Sequence, residues 1–222
     1  MNKILTLSLL ISLFFPLLAG AQNSDDTRLP QVLLIGDSIS EGYIRTVRSE
    51  LAGKADVTRI PGNGQWTGTG VKKIDEWLGD TGWDVIHFNW GLWDMYGWEF
   101  AEEDRSPEAY GNRLETLVSR LEKTGAKLIW ATTTPACPEA EVTMRKRFNT
   151  EVVISEELEK QYLDAAAKVM KAHNVKINDL HALIRPDLAK HAIGPDDVHF
   201  NAEGSKLLGK QVAKSIAEEI SE

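Results

Sequence analysis

Cysteine is nearly missing from this chain. Cys137 stands alone among 222 residues, so no internal disulfide braces the fold and its stability must come from core packing. A catalytic thiol is not expected either, because Cys137 lies between Pro135 and Pro138 in a loop-like stretch without a partner base. Metal-binding patterns are equally scarce. There is no helical His-x-x-x-His pair, cysteine cluster or EF-hand loop, and a cation would find only the scattered carboxylates of Asp37, Asp196 and Asp197. The expectation is a protein that uses no metal and no cofactor. Positive charge is in deficit, with 25 Lys and Arg against 33 Asp and Glu and a formal net charge of −8. Such a surface repels nucleic acid and anionic membranes, so neither is expected as a partner.

Long apolar runs are absent except at the start. Lys3 precedes an almost wholly apolar Ile4 to Leu18, and Ala19-Gly20-Ala21 supplies small residues for cleavage. The run is shorter than the roughly 20 residues that span a bilayer and gives way at once to polar Gln22-Asn23-Ser24-Asp25-Asp26. Residues 1–21 therefore read as a signal peptide and 22–222 as the mature domain, secreted or periplasmic, with no stable membrane insertion after cleavage. Loss of Lys3 takes one positive charge from the total of −8 and leaves −9. No cysteine follows the apolar run, so a lipid anchor is not expected.

No internal repeat, low-complexity tract or Pro/Gly-rich linker divides the remainder, and the full chain is 42% hydrophobic and 26% charged, enough for one globular domain with a real core. Short β-rich runs at Gln31 to Ile35, Asp56 to Ile60, Val85 to Asn89, Lys127 to Thr133 and Val175 to Asn178 alternate with amphipathic helical stretches, the last about Ala202 to Ile220. Five βα repeats with near-continuous apolar strands predict an α/β fold, a three-layer α/β/α sandwich around a five-stranded parallel sheet. Its ligand should lie beyond the carboxyl ends of the strands. The stretch from about Thr134 to Ser155 exceeds an ordinary connection, so it is either disordered or functional.

At those strand ends the first candidate is Ser38, in Gly36-Asp37-Ser38-Ile39-Ser40 directly after the first strand. A helix starting there would aim backbone N–H groups at a developing oxyanion. Gly-Asp-Ser alone is a weak signal, arising by chance in roughly one of fifteen chains of this length, and it serves equally as a turn and helix cap. Weight comes from Asp196-Asp197-Val198-His199, between the last predicted strand and the last helix. A carboxylate three residues before an imidazole can orient and charge-stabilise it, while the imidazole takes the serine proton and returns it to the leaving alcohol. The assignment is Ser38 as nucleophile, His199 as base and Asp196 as its orienter. His87 falls inside the third strand, and His173, His181 and His191 have no nucleophile nearby; core, cap or solvent roles suit them better.

With these blocks in hand, the sequence resembles the SGNH (GDSL-like) hydrolase family from about Gln31 to Leu208. The resemblance implies a flavodoxin-like fold and a serine esterase. It casts Pro61-Gly62-Asn63-Gly64-Gln65-Trp66-Thr67 as the second block, with the Gly64 N–H as an oxyanion donor. The third block, ordinarily Gly-x-Asn-Asp, reads Gly91-Leu92-Trp93-Asp94, so Trp93 stands where the family has its asparagine donor. Asn63 or Asn89 could then supply the missing amide. An α/β-hydrolase is disfavoured, since Ser40 replaces the second glycine of Gly-x-Ser-x-Gly and acid and histidine share one loop.

Seven tryptophans are many, and Trp66, Trp93 and Trp98 fall in or beside loops that should ring Ser38, where flat indoles suit sugar rings or acyl chains; core filling is the alternative. Arg145-Lys146-Arg147 reads as a solvated run, with gripping of an acidic substrate as the sharper option. The functional expectation is an ester hydrolase acting through an acyl-serine intermediate on a small-molecule or polysaccharide ester, with carbohydrate deacetylation as the subtype the family suggests. Lipid or thioester hydrolysis, and an inactive fold that binds glycans through tryptophan, are the alternatives.

Overall fold

The computed structural model describes residues 28–221; the predicted signal peptide lies outside them. Five strands, β1 (Gln31–Ile35), β2 (Asp56–Arg59), β3 (Val85–Phe88), β4 (Lys127–Ala131) and β5 (Lys176–Asn178), form one parallel sheet in the order β2-β1-β3-β4-β5. The predicted strands are all present, each trimmed by no more than two residues at an end. In β1, Val32 to Ile35 are completely buried, as expected of a central strand covered on both faces. At the edge, β2 instead alternates between exposed and half-buried positions.

Nine helices among the described residues flank the sheet: α1 (Ser38–Glu50), α2 (Thr67–Leu78), α3 (Leu92–Tyr96), α4 (Pro107–Glu122), α5 (Ala140–Phe148), α6 (Glu156–Ala172), α7 (Leu180–Ile184), α8 (Leu188–His191) and α9 (Ala202–Ser221). Their starts follow local chemistry. Ser106 caps α4 by accepting from the Ala109 N–H at 3.2 Å with Pro107 in the first turn, and Ser155 caps α6 by accepting from Leu158. Helices α1 and α9 pack tightly because Gly209 has no side chain; a Cβ there would sit 2.6 Å from that of Thr46 and 2.9 Å from the Tyr43 carbonyl.

The chain reverses its strand order between β1 and β3, and this topological switch point brings the loops after β1, β2 and β3 together at one edge. The long stretch after β4 is ordered. Helix α5 forms within it and Met144 is buried, so the segment that sequence left open becomes a wall beside Ser38.

Candidate active site

Ser38 is the first residue of α1. Asp37 caps that helix, its Oδ1 accepting from the Ile39 N–H at 3.0 Å, and its carbonyl accepts from the N–H groups of Ser40 and Glu41. The first helical donors are thus satisfied except that of Ser38, which has no acceptor among the described residues and stays available to a ligand.

His199 reaches this serine from the other end of the chain. Ile193 donates its N–H to the His199 carbonyl at 2.9 Å, and Asn201 donates to the His191 carbonyl at 2.8 Å, closing residues 193–199 into a small loop. Asn201 also caps α9, with its Oδ1 accepting from Glu203 and Gly204. Held this way, His199 Nε2 lies 2.8 Å from Ser38 Oγ and Nδ1 lies 2.5 Å from Asp197 Oδ1. With Nδ1–H donating to the carboxylate, Nε2 is left to accept from the serine hydroxyl.

The carboxylate partner is therefore Asp197 and not Asp196. Asp197 Oδ1 accepts both the His199 N–H at 2.9 Å and the ring, an Asx-type turn that places the carboxylate under the imidazole. Asp196 is exposed, with its Oδ1 over Gly194. Partial burial pushes the Asp197 carboxyl up, but the His199 N–H and ring outweigh it and hold it below the ordinary carboxylate value. Asp37 goes the opposite way. Burial lifts it to about 6 against the Ile39 N–H and the charges of His199 and Arg59.

The expected oxyanion donors separate. The Gly64 N–H is committed to the Gly36 carbonyl at 3.1 Å, so it is not the free donor that the resemblance implied. A glycine is nonetheless required there, since a Cβ would lie 2.9 Å from that same carbonyl oxygen. The Asn89 amide is likewise spent, donating to the Ala131 carbonyl at 2.7 Å between the ends of β3 and β4. Asn63 differs. Its Oδ1 accepts from the Gln65 N–H at 2.8 Å, which leaves its NH₂ without an acceptor among the described residues, and it lines the same cavity as Ser38 and His199.

That cavity, of about 190 Å³, is walled by Trp93, Trp98, Met144, Phe148 and Val198, with Glu99 and Arg147 at its rim. Trp93 meets Trp98 edge-on at 4.7 Å between centroids, and Trp98 stacks on Phe148 at 5.4 Å. The Trp93 Nε1 is sealed from solvent without a partner, so this indole contributes a wall and does not replace the asparagine donor. Trp98 carries a φ of +31°, a strained value for an aromatic residue that its packing maintains. Trp66 does not line the cavity, contrary to expectation. It is buried, stacked on Phe100 at 5.0 Å with the Arg113 guanidinium 4.6 Å from its ring. Arg147 lies against Phe148, whereas Arg145 pairs with Glu141 at 2.9 Å.

Residues 34–207 match the GDSL-like lipase/acylhydrolase family. The chain belongs to that family. Its members are carboxylic ester hydrolases, and so is this chain. Among solved structures, the lipase/acylhydrolase from Enterococcus faecalis is 20% identical, with 86% of this chain and 96% of that one covered at a TM-score of 0.69. Est24, a carbohydrate acetylesterase from Sinorhizobium meliloti, is 15% identical over 85% of this chain and 99% of that one, with a TM-score of 0.69. The acetyl xylan esterase AlAXEase is 15% identical over 84% and 99%, with a TM-score of 0.65. At these identities the likeness is one of fold. No curated protein matches the chain by sequence.

The remaining ionisable groups play other parts. His87 is fully buried in β3, where desolvation holds it near 3 and its Nε2 accepts from the Asn178 amide at 3.2 Å. His173 pairs with Glu115 and Glu122, and His181 with Glu159. Burial pushes the Cys137 thiol up, away from the thiolate. Among the described residues no group of three or more His, Cys, Asp or Glu is placed to hold a metal ion, and no helix is long and apolar enough to cross a membrane.

Proposed function

We propose that this family member is an exported carbohydrate O-acetyl esterase working through an acyl-Ser38 intermediate. The observation that carries the mechanism is the line of contacts from Asp197 through His199 to Ser38, at 2.5 and 2.8 Å, opening on an aromatic-walled cavity. As Ser38 Oγ attacks the ester carbonyl carbon, its proton passes to His199 Nε2, and the imidazolium is stabilised by Asp197. The tetrahedral oxyanion is met by the Ser38 N–H and the Asn63 amide. On collapse the alcohol leaves with the proton from His199, giving the acyl-enzyme. Water then repeats the sequence, losing its proton to His199, and carboxylic acid is released.

The carbohydrate assignment rests on the indole and phenyl walls, which suit the apolar faces of a sugar ring, and on the names of the acetylesterases that share the fold. Export rests on the apolar run of residues 4–18 and the small residues after it.

The test measures p-nitrophenyl acetate hydrolysis by the parent and by Ser38→Ala, both in EDTA, and then acetate release from acetylated xylan. Activity in the parent alone is the expected result. A parent that acts on p-nitrophenyl acetate but releases no acetate from acetylated glycans refutes the carbohydrate assignment, and inactivity towards every ester refutes the mechanism. N-terminal sequencing of exported protein should begin near Gln22.

A further inference from the structure

Beside the nucleophile, and not among the residues that line the cavity, lies a guanidinium that the proposed reaction does not touch. Arg59 ends the edge strand β2, yet its side chain is only 9% exposed. Its Nε donates to Ser40 Oγ at 2.8 Å. Nη1 donates to the carbonyls of Ile60 at 3.0 Å and Gly62 at 2.7 Å, and Nη2 to those of Gly36 at 3.2 Å and Asp37 at 3.0 Å. Only one partner, Glu41 at 3.2 Å, is a carboxylate. A cation surrounded mainly by carbonyl oxygens is organising backbone more than forming an ion pair.

Two of these carbonyls matter: that of Asp37 shares a peptide with the Ser38 N–H, and that of Gly62 belongs to the residue before Asn63, whose donor is its side-chain amide. In a planar trans peptide the C=O and the next N–H point in opposite directions. Fixing the Asp37 oxygen therefore fixes where the Ser38 N–H points. That oxygen also accepts Ser40 Oγ at 2.6 Å and the Ser40 N–H at 3.0 Å, so the peptide is held firmly and polarised, which strengthens its N–H as a donor. Gly62 is the residue before Asn63, and its carbonyl is held by the same rigid fork.

We infer that Arg59 is a positioning residue that fixes the direction of the Ser38 N–H and its spacing from the Asn63 amide, so that both converge on the oxyanion. This role rests on the acyl-serine reading above. A planar fork is needed because the acceptors lie in two loops, and a lysine's single ammonium cannot span them all.

The experiment compares the parent with Arg59→Met and Arg59→Lys in p-nitrophenyl acetate hydrolysis, alongside binding of methylboronic acid, whose tetrahedral serine adduct occupies the oxyanion site. Near-UV circular dichroism checks the fold. The expected result is a kcat about 10²-fold lower in Arg59→Met, the size of effect that an ångström of misplacement brings, with KM near the parent's and boronate affinity falling alongside kcat. Arg59→Lys should recover part of both. A folded Arg59→Met with parental kcat, or one that loses kcat while keeping its boronate affinity, overturns the assignment. If Arg59→Met does not fold, Arg59→Lys and Ser40→Ala decide: each should lose kcat selectively, and parental kcat in both overturns it. A parent inactive on every ester instead removes the acyl-serine reading, and this role with it.

Discussion

Asp196 and Asp197 are identical side chains one position apart, and the turn decides between them. Asp197 accepts the backbone N–H and the ring of the same histidine, while Asp196 is exposed. Asp197→Asn should therefore lower kcat by up to about 10⁴-fold, because the imidazole loses its orienting acceptor, whereas Asp196→Asn should stay near the parent; steady-state kinetics of the two variants check this. Sequence spacing singles out the loop, the serine and the histidine that the fold brings together, but two adjacent carboxylates leave the choice to backbone torsions that no pattern encodes. Asn63 makes a second case at this scale. With Gly64 and Asn89 committed to carbonyls, Asn63→Ala should cost about 10²–10³ in kcat with little change in KM, the ordinary cost of losing one oxyanion donor.

At the scale of elements, strands were the most legible feature because buried parallel strands are written as continuous apolar runs, as Val32 to Ile35 show. The aromatic residues were harder to place. Trp66, Trp93 and Trp98 all follow strand ends, but the path of α2 and α3 buries Trp66 against Phe100 and Arg113 and turns the other two to the cavity. Trp66→Ala should thus destabilise the fold by about 3–5 kcal/mol, as large-to-small core changes do, and leave KM unaltered in the molecules that remain folded. Chemical denaturation and kinetics on one preparation separate the two effects. Helix α5 and Arg59 gave no usable signal. The helix lacks a capping side chain, and an arginine ending an alternating edge strand reads as a solvent-facing residue.

Across the whole molecule, the loops after β2 and β3 are joined by a buried carboxylate. Asp94 accepts from the Thr67 N–H at 3.0 Å and from its hydroxyl at 2.5 Å, with Arg113 at 3.6 Å, and burial nevertheless lifts it to about 6. An acid raised in the folded state keeps a proton that the unfolded chain has released. Its stabilising contribution is therefore complete below the ordinary value of 3.8 and is lost as pH rises through about 6. Asp94→Asn removes that dependence. The difference in unfolding free energy between parent and variant should shift in the variant's favour by at most about 3 kcal/mol between pH 4 and pH 7, readable from denaturant melts at the two values. An unchanged difference would mean that Asp94 ionises as an ordinary carboxylate.

Ser38 and His199 are 161 residues apart in sequence, and their contact depends on β1 paired between β2 and β3 and on α9 docked against α1. On the proposed acyl-Ser38 mechanism, a chain severed anywhere between them carries the nucleophile on one piece and the base on the other. Neither fragment should then turn over an ester by itself, so hydrolysis would report that the two ends of the domain have come together, and a split pair of fragments should regain activity only on reassembly.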